Sequence, residues 1–173
     1  MKIRDVVIHT GKRFKVPQGI QRIDHLATHG WQLRYGGTKL FSDQSTEGGA
    51  SEALAKATRE LLARIARLPA PNKLQGTPNA NKTSDLPVGI FGPVVRQRRN
   101  SALRDCSLSV SLPRFGQSPQ RRSVYIGTEN TYSVQKYELA LAKAIALRAQ
   151  AEEAYALAAT RAKRKQGKAL KAR

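Results

Sequence analysis

The chain is short and strongly basic, and these two properties limit what it can be. It has 173 residues, of which 31 are Lys or Arg and 12 are Asp or Glu, giving a formal net charge of +19. This surplus goes beyond what solubility requires and indicates a polyanionic partner. The length and the apolar fraction of 40% allow one ordinary domain or two very small ones, and they disfavour a large internal cavity.

Cysteine content and hydropathy indicate in which cellular compartment the protein is expected. The single cysteine, Cys106, excludes an internal disulfide framework and a thiolate zinc site, and its neighbours predict a small buried apolar group. The N-terminus lacks the apolar run of a signal peptide, and no segment approaches the roughly 18 apolar residues of a membrane span. We therefore expect a cytoplasmic protein, nucleoid-associated if its source is bacterial, with no membrane partner.

The first third of the chain predicts a small sheet. Residues 1–15 alternate weakly and carry several basic side chains, so a loose strand and a flexible basic arm both remain open. From residue 16 onwards, three strands are predicted near 16–23, 30–35 and 38–41, with a Gly-Gly hairpin between the last two.

Alternation in the second of these strands assigns its two faces. Successive strand side chains point to opposite sides, so Trp31, Leu33 and Tyr35 are predicted to cover a core. Gln32 and Arg34 then face outwards, where they are free to contact a partner.

An amphipathic helix is predicted to follow over 51–68, with Ser51 as its N-cap and two prolines after its end. Glu52 would meet the positive end of the helix dipole. Its apolar stripe supplies the cover that the sheet needs: Leu54, Leu61, Leu62, Ile65 and Leu68.

The pattern restarts after a Pro- and Asn-rich linker at 69–85. Residues 86–90 echo 16–20, strands are predicted at 106–112 and 121–127, and a helix runs from Ser133 to about Lys165. Its predicted apolar stripe is Val134, Tyr137, Leu141 and Ile145.

The predicted fold class is α+β, with two small units that each pack a three-stranded antiparallel sheet on one helix. The units span 16–68 and 86–160. Only the first half of the long C-terminal helix can cover the second sheet, so its remainder and the basic tail at 161–173 are predicted to project as an arm.

Short motifs in both units resemble one family. They are Gly-Ile-Gln-Arg-Ile at 19–23, Gly-Trp-Gln-Leu-Arg at 30–34 and Leu-Phe-Ser-Asp at 40–43, and in the second unit Gly-Ile at 89–90, Leu-Ser-Val-Ser at 108–111 and Tyr-Ile-Gly-Thr at 125–128. Over roughly 16–68 and 86–148 the chain resembles the apetala-two/ethylene-response-factor type of DNA-binding domain, including its tandem versions in bacterial and mobile-element proteins.

The resemblance implies that each sheet enters the major groove of DNA and contacts it through outward strand residues. Position by position, these are Gln21, Gln32, Arg34 and Thr38 in the first unit, and Ser107, Ser109, Arg121, Ser123 and Tyr125 in the second. Basic neighbours complete the candidate nucleic-acid-binding set: Arg22, Lys39, Arg96, Arg98, Arg99 and Arg122.

Each of these assignments has a simpler alternative. Any single arginine could be an ordinary solvated charge, and Tyr125 could lie at the rim of a core instead of stacking on a base or sugar. His25 and His29 have a spacing that would present a metal-binding pair on a helix, but they fall in a predicted loop with no carboxylate or thiol to complete the set. We therefore expect no metal and no cofactor.

No nucleophile elbow, phosphate-binding loop or paired carboxylates occur, so the chain is not expected to be an enzyme. The favoured hypothesis is a double-stranded DNA-binding protein, either a transcriptional or a nucleoid-type regulator. An RNA-binding or ribosome-associated protein stays open, because basic tails and small sheets serve RNA equally well. A third alternative is a structural protein that self-associates through the projecting helix.

Overall fold

The computed structural model describes residues 1–44, 48–72, 74–98 and 102–172. Within these ranges the chain is α+β, with two helices and three antiparallel sheets ordered β1-β2, β3-β4-β5 and β6-β7-β8. The elements are β1 Ile3–Val7, β2 Arg13–Pro17, β3 Ile20–His25, β4 Thr28–Arg34, β5 Thr38–Ser42, α1 Gly49–Arg67, β6 Ile90–Gln97, β7 Arg104–Arg114, β8 Gln117–Thr128 and α2 Val134–Lys171.

The chain divides into two compact units. The first unit comprises Met1–Pro71 and Ala159–Arg173, and the second comprises Asn72–Ala158. Each has its own hydrophobic core. Neither helix in the described ranges has an apolar stretch long enough to cross a membrane.

The core of the first unit lies between the β3-β4-β5 sheet and α1. Trp31 and Leu33 are fully buried and Tyr35 is nearly so, whereas Arg34 is exposed, which confirms the predicted alternation. The indole Nε1 of Trp31 donates a hydrogen bond to the carbonyl of Ala50 at 2.7 Å. Helix and sheet are therefore joined by a polar contact as well as by apolar packing.

Residues 1–17 form a hairpin, β1-β2, that belongs to this core. Ile8 and Val16 are buried, and the ring of Phe14 meets the edge of the Trp31 ring with centroids 5.6 Å apart. Of the two interpretations of the N-terminus, the ordered strand is the one the structure has. The hairpin is a second cover for Trp31, beside α1.

The N-terminus of α1 differs from the prediction. The helix begins at Gly49, and the exposed Ser51 lies inside it, so its assignment as N-cap was wrong. The carboxylate of Glu52 instead accepts a hydrogen bond from the backbone N–H of Gly48 at 3.1 Å. Two glycines allow the chain to turn into the helix early, since Gly49 adopts a φ of +58°.

The second unit covers a larger sheet with α2. Leu108 and Val110 are fully buried in β7, and Cys106 is buried as predicted. From α2, Ala140 and Ala144 are buried, with Tyr137, Leu141, Leu147 and Ala151 packed around the same core.

The prediction that Val134 and Ile145 belong to the buried stripe of α2 was wrong. Val134 and Ile145 are 66% and 44% exposed, respectively. The side of the helix that is buried instead carries Ala140 and Ala144, with Tyr137 and Leu141 packed beside them.

Residues 159–171 remain helical and belong to the first unit, which differs from the predicted projecting arm. Gly167 is buried, so close to Ile65 of α1 that an added Cβ would lie 3.0 Å from the Ile65 Cγ2. The Lys163 ammonium lies 5.9 Å from the centroid of the Tyr35 ring. The hypothesis that the chain self-associates through this helix assumed that the segment projects as an arm.

An arginine on each helix reaches main-chain carbonyls of its unit, in the β4-β5 turn for α1 and in β7 for α2. Arg64 Nη1 donates to the carbonyls of Tyr35 and Gly37, both at 2.9 Å, and Arg64 Nε pairs with Glu60 at 2.8 Å. In the second unit, Arg148 donates to the carbonyl of Ser111, and its Nε pairs with Glu152 at 2.6 Å. In both units a glutamate one helical turn away holds the guanidinium in place.

Candidate nucleic-acid interface

Four of the predicted contact residues lie together on the first sheet. In the observed register Gln21 is opposite Gln32, and Arg34 is opposite Thr38. All four side chains project from the face opposite to Trp31, and we call them the first outer face. Arg34 Nε donates to Gln32 Oε1 at 2.5 Å, so the guanidinium is oriented along the sheet.

Arg22 and Lys39 do not belong to the first outer face. Arg22 is opposite Trp31 and lies over its ring, with the guanidinium carbon 4.9 Å from the centroid. It pairs with Asp43 at 2.6 Å and with Asp24 at 2.7 Å, and its side chain is 6% exposed. Period-2 alternation puts Lys39 on the same side, where its ammonium lies 5.2 Å from the Phe41 ring.

A cleft of about 380 Å³ opens beside the first outer face, between the N-terminal hairpin and β3. Lys2, Arg4, Gln21 and Arg34 contribute to its lining. Arg4 Nη2 donates to the carbonyl of Ile20 at 3.0 Å, which fixes its guanidinium at the cleft. The sequence could not indicate these two N-terminal cations as neighbours of Arg34, because their position depends on how the hairpin folds back.

The second sheet gathers more of the predicted residues. In register, Ser107 is opposite Tyr125, Ser109 is opposite Ser123, and Ser111 is opposite Arg121. With Arg96 of β6 and Arg98, which directly follows β6 and pairs with Asp105, these side chains share the face that points away from α2. We call this set the second outer face: Arg96, Arg98, Ser107, Ser109, Ser111, Arg121, Ser123 and Tyr125.

The middle strand of the second outer face contributes three serines, with Asp105 at one end opposite Arg96, and larger groups flank them. Tyr125 is 55% exposed and therefore faces outwards, which settles the alternative of a core-rim position. Phe91, which the sequence did not indicate, is opposite Ser109 and is 50% exposed. The result is a shallow serine row between two exposed aromatic rings.

The charges of the second outer face are only partly compensated. Arg98 pairs with Asp105 at 2.8 Å and lies beside Tyr125, and the hydrogen bond to Asp105 raises the pKa of Arg98. Among the residues that the structure describes, none hydrogen-bonds to or pairs with the Arg96 or Arg121 side chain. Both guanidinium groups can therefore bind an anion without first breaking an ion pair.

Two predicted residues lie outside this face. Arg122 is opposite Val110 and thus on the α2 side of the sheet, although it is exposed. Arg99 lies outside the described residues.

The structure also assembles a polar cluster that sequence spacing did not reveal. Asp24 and His29 are opposite each other across β3 and β4, and the loop between β1 and β2 brings in His9. The prediction that His25 and His29 lie in a loop was wrong, since they belong to β3 and β4, and His25 is exposed and is not part of the cluster. Partial burial opposes ionisation of Asp24, but hydrogen bonds from Arg22, His29 and His9 outweigh it and hold the pKa of the carboxyl well below its usual range.

No family model, curated protein or solved structure matches this chain. The resemblance to the apetala-two/ethylene-response-factor domain therefore stays a prediction that rests on the short motifs at 19–23, 30–34 and their counterparts.

Proposed function

We propose that the chain is a double-stranded DNA-binding protein whose outer faces contact the duplex, and that it serves as a transcriptional or nucleoid-type regulator. The observation that carries the proposal is the second outer face, where Arg96 and Arg121 flank a row of serines on a chain of net charge +19. An antiparallel sheet fits the width of a major groove. Small hydroxyl side chains allow its backbone to approach the DNA closely.

The two outer faces suit different parts of a DNA site. Gln21 and Gln32 carry amides, which can pair with an adenine edge, and Arg34 can pair with guanine or with phosphate. On the second outer face, Arg96 and Arg121 suit phosphate oxygens, which fix position and carry no sequence information. We therefore expect the first sheet to contribute more selectivity and the second more affinity.

The exposed rings favour a second candidate, binding of single-stranded nucleic acid or RNA. Phe91 and Tyr125 are half exposed on the same face, and unpaired bases stack on such rings. A duplex offers no unstacked base to them. The partner's strandedness therefore distinguishes the two candidates.

A competition assay tests the proposal. Labelled duplex DNA is bound to the full chain and displaced by unlabelled duplex, structured RNA or single strands at two salt concentrations. Duplex preference at the higher salt supports the proposal, and preference for RNA or single strands supports the second candidate. Each phosphate contact contributes about 0.9 to the slope of log affinity against log salt. A slope near zero would remove both candidates.

A double variant tests whether the second outer face makes the phosphate contacts. Replacing both Arg96 and Arg121 with alanine should reduce the salt slope by about 2, if each meets one phosphate. Lys143→Ala is the matched control, because Lys143 is an exposed cation of the same unit on α2. A reduction of the slope by about 1 in this single-charge control would show that binding depends on total charge and not on the second outer face.

A further inference from the structure

The polar cluster of the first unit has the composition of a metal site. We propose that His9, Asp24 and His29 bind a divalent transition-metal ion of the zinc class. The three ligands come from the loop between β1 and β2, the end of β3 and the start of β4. This site is separate from both outer faces and does not depend on the proposed function.

The donor atoms already converge. His9 Nδ1 lies 3.1 Å and His29 Nδ1 lies 2.9 Å from the same Asp24 Oδ1, and one ligand atom from each residue falls within 4.8 Å of the other two. Zinc bonds of about 2.0 to 2.2 Å in a tetrahedral arrangement place ligand atoms roughly 3.3 to 3.5 Å apart. An ion therefore needs only small side-chain shifts to reach all three.

The backbone holds the ligands in position. Cross-strand pairing of Asp24 with His29 aims both side chains at the same side of the sheet. The backbone N–H of His9 donates to Asp24 Oδ2 at 3.3 Å, which ties the hairpin loop to the strand. The two imidazole rings stack with centroids 4.0 Å apart, so they approach the carboxylate side by side.

Local charge is compatible with a bound cation. Arg22 also contacts Asp24 Oδ1, at 2.7 Å, but its guanidinium is shared with Asp43 at 2.6 Å. The guanidinium therefore divides its charge between the carboxylates of Asp24 and Asp43. Through Nε at 3.0 Å and Nη2 at 2.7 Å, the arginine orients the carboxylate by the same Oδ1 that the two imidazoles face.

The ligand set selects the kind of metal. Two imidazoles and one carboxylate suit zinc, nickel, cobalt or copper, whereas magnesium and calcium prefer oxygen alone. His9 is 43% exposed and His29 25% exposed at the side chain, so the other coordination positions face water. A bound ion would link the N-terminal hairpin to the β3-β4 turn.

The chain contains three histidines, and one of them is a built-in control. Zn²⁺ is titrated into the full chain and followed by calorimetry and by the imidazole ¹⁵N signals in NMR. One saturable ion per chain is expected, with the signals of His9 and His29 shifting and those of His25 unchanged. Mg²⁺ at the same concentrations should give no saturable binding.

Variants check the assignment. His9→Gln and His29→Gln should each abolish saturable Zn²⁺ binding and the accompanying rise in Tm, whereas His25→Gln should retain both. His9 is exposed on a loop, so its variant is expected to keep the circular dichroism of the parent. Absence of saturable binding, a shift of His25 instead of His9, or full binding by His9→Gln would each overturn the proposal.

Discussion

The two units build the same sheet-and-helix pair on sheets of different size. Strands β3, β4 and β5 have 6, 7 and 5 residues, whereas β6, β7 and β8 have 8, 11 and 12. The smaller sheet is covered by α1 and the N-terminal hairpin, with residues 159–171 packed on α1 at Ile65, while α2 covers the larger sheet. A short sheet buries little apolar surface, so extra covering elements contribute the missing stabilisation.

The outer faces differ more than the cores. The first outer face carries two amides and one arginine, and the second carries hydroxyls, flanking arginines and exposed rings. The core-facing positions are apolar in both sheets, since they must meet a helix. Function can therefore differ between the units while their scaffold stays the same.

Trp31→Ala is the largest expected effect and tests whether the cores are independent. Removing this fully buried ring should cost the first unit about 3 to 5 kcal/mol of unfolding free energy. Amide NMR during denaturation should show loss of the first unit only, because Trp31 belongs to its core cluster alone. Leu108→Ala, at about 2 to 5 kcal/mol, is the reverse experiment in the second unit. Simultaneous melting of both units in either variant would contradict the independence of the two cores.

Arg34→Ala tests the role assigned to the first outer face. Duplex binding should weaken by about 1 to 3 kcal/mol if the guanidinium contacts a base. Stability should change by no more than about 0.5 kcal/mol, because the side chain is exposed. Arg67→Ala, an exposed arginine in the last turn of α1, is the control and should bind as the parent does. Unfolding of Arg34→Ala would mean that the face assignment is mistaken.

Gly167→Val tests whether residues 159–171 cover the first core. The added side chain would meet Ile65, and such overpacking typically costs about 1 to 3 kcal/mol. Ala169→Val places the same residue type at an exposed position two residues away. Helix propensity alone favours Gly→Val and disfavours Ala→Val. Chemical denaturation compares both variants with the parent, and a Gly167→Val variant as stable as the parent or more stable would show that the segment does not pack there.

Tyr125→Phe gives the smallest effect and separates the two modes of binding. If the hydroxyl donates to a phosphate, affinity should fall by about 0.5 to 1.5 kcal/mol. If the ring stacks on a base, affinity for single strands should be unchanged in this variant and fall by about 1 to 3 kcal/mol in Tyr125→Ala. Binding titrations with matched duplex and single-stranded ligands distinguish these results.

Local periodicity predicted the parts of the fold that depend on single strands. The alternation around Trp31 and Leu108 assigned inward and outward positions in both sheets, because a strand's period of two is visible in sequence. Ala140 and Ala144 could not be recognised as the buried side of α2, since alanine is common on every face of that helix. Packing of the helix against its sheet, not hydropathy, selected that side.

The sequence predicted residues of the candidate sites only where the pairing register between strands was not needed. The outward serines of β7 follow from alternation, as does the inward position of Arg22 next to Gln21, but the ion pair of Arg22 with Asp43, 21 residues away, does not. Likewise, His9 reaches Asp24 across 15 residues. Pairings of this kind depend on how the chain folds back, which no local pattern contains.

The arginine that joins each helix to main-chain carbonyls of its unit has a consequence for how such a scaffold can change. Arg64 and Arg148 bond to main-chain carbonyls, and a carbonyl is present whatever side chain the residue carries. Substitutions on the outward positions of either sheet therefore leave these helix attachments intact. A unit held in this way can be retargeted, by mutation or by design, by rewriting its exposed strand residues while the docked helix stays where it is.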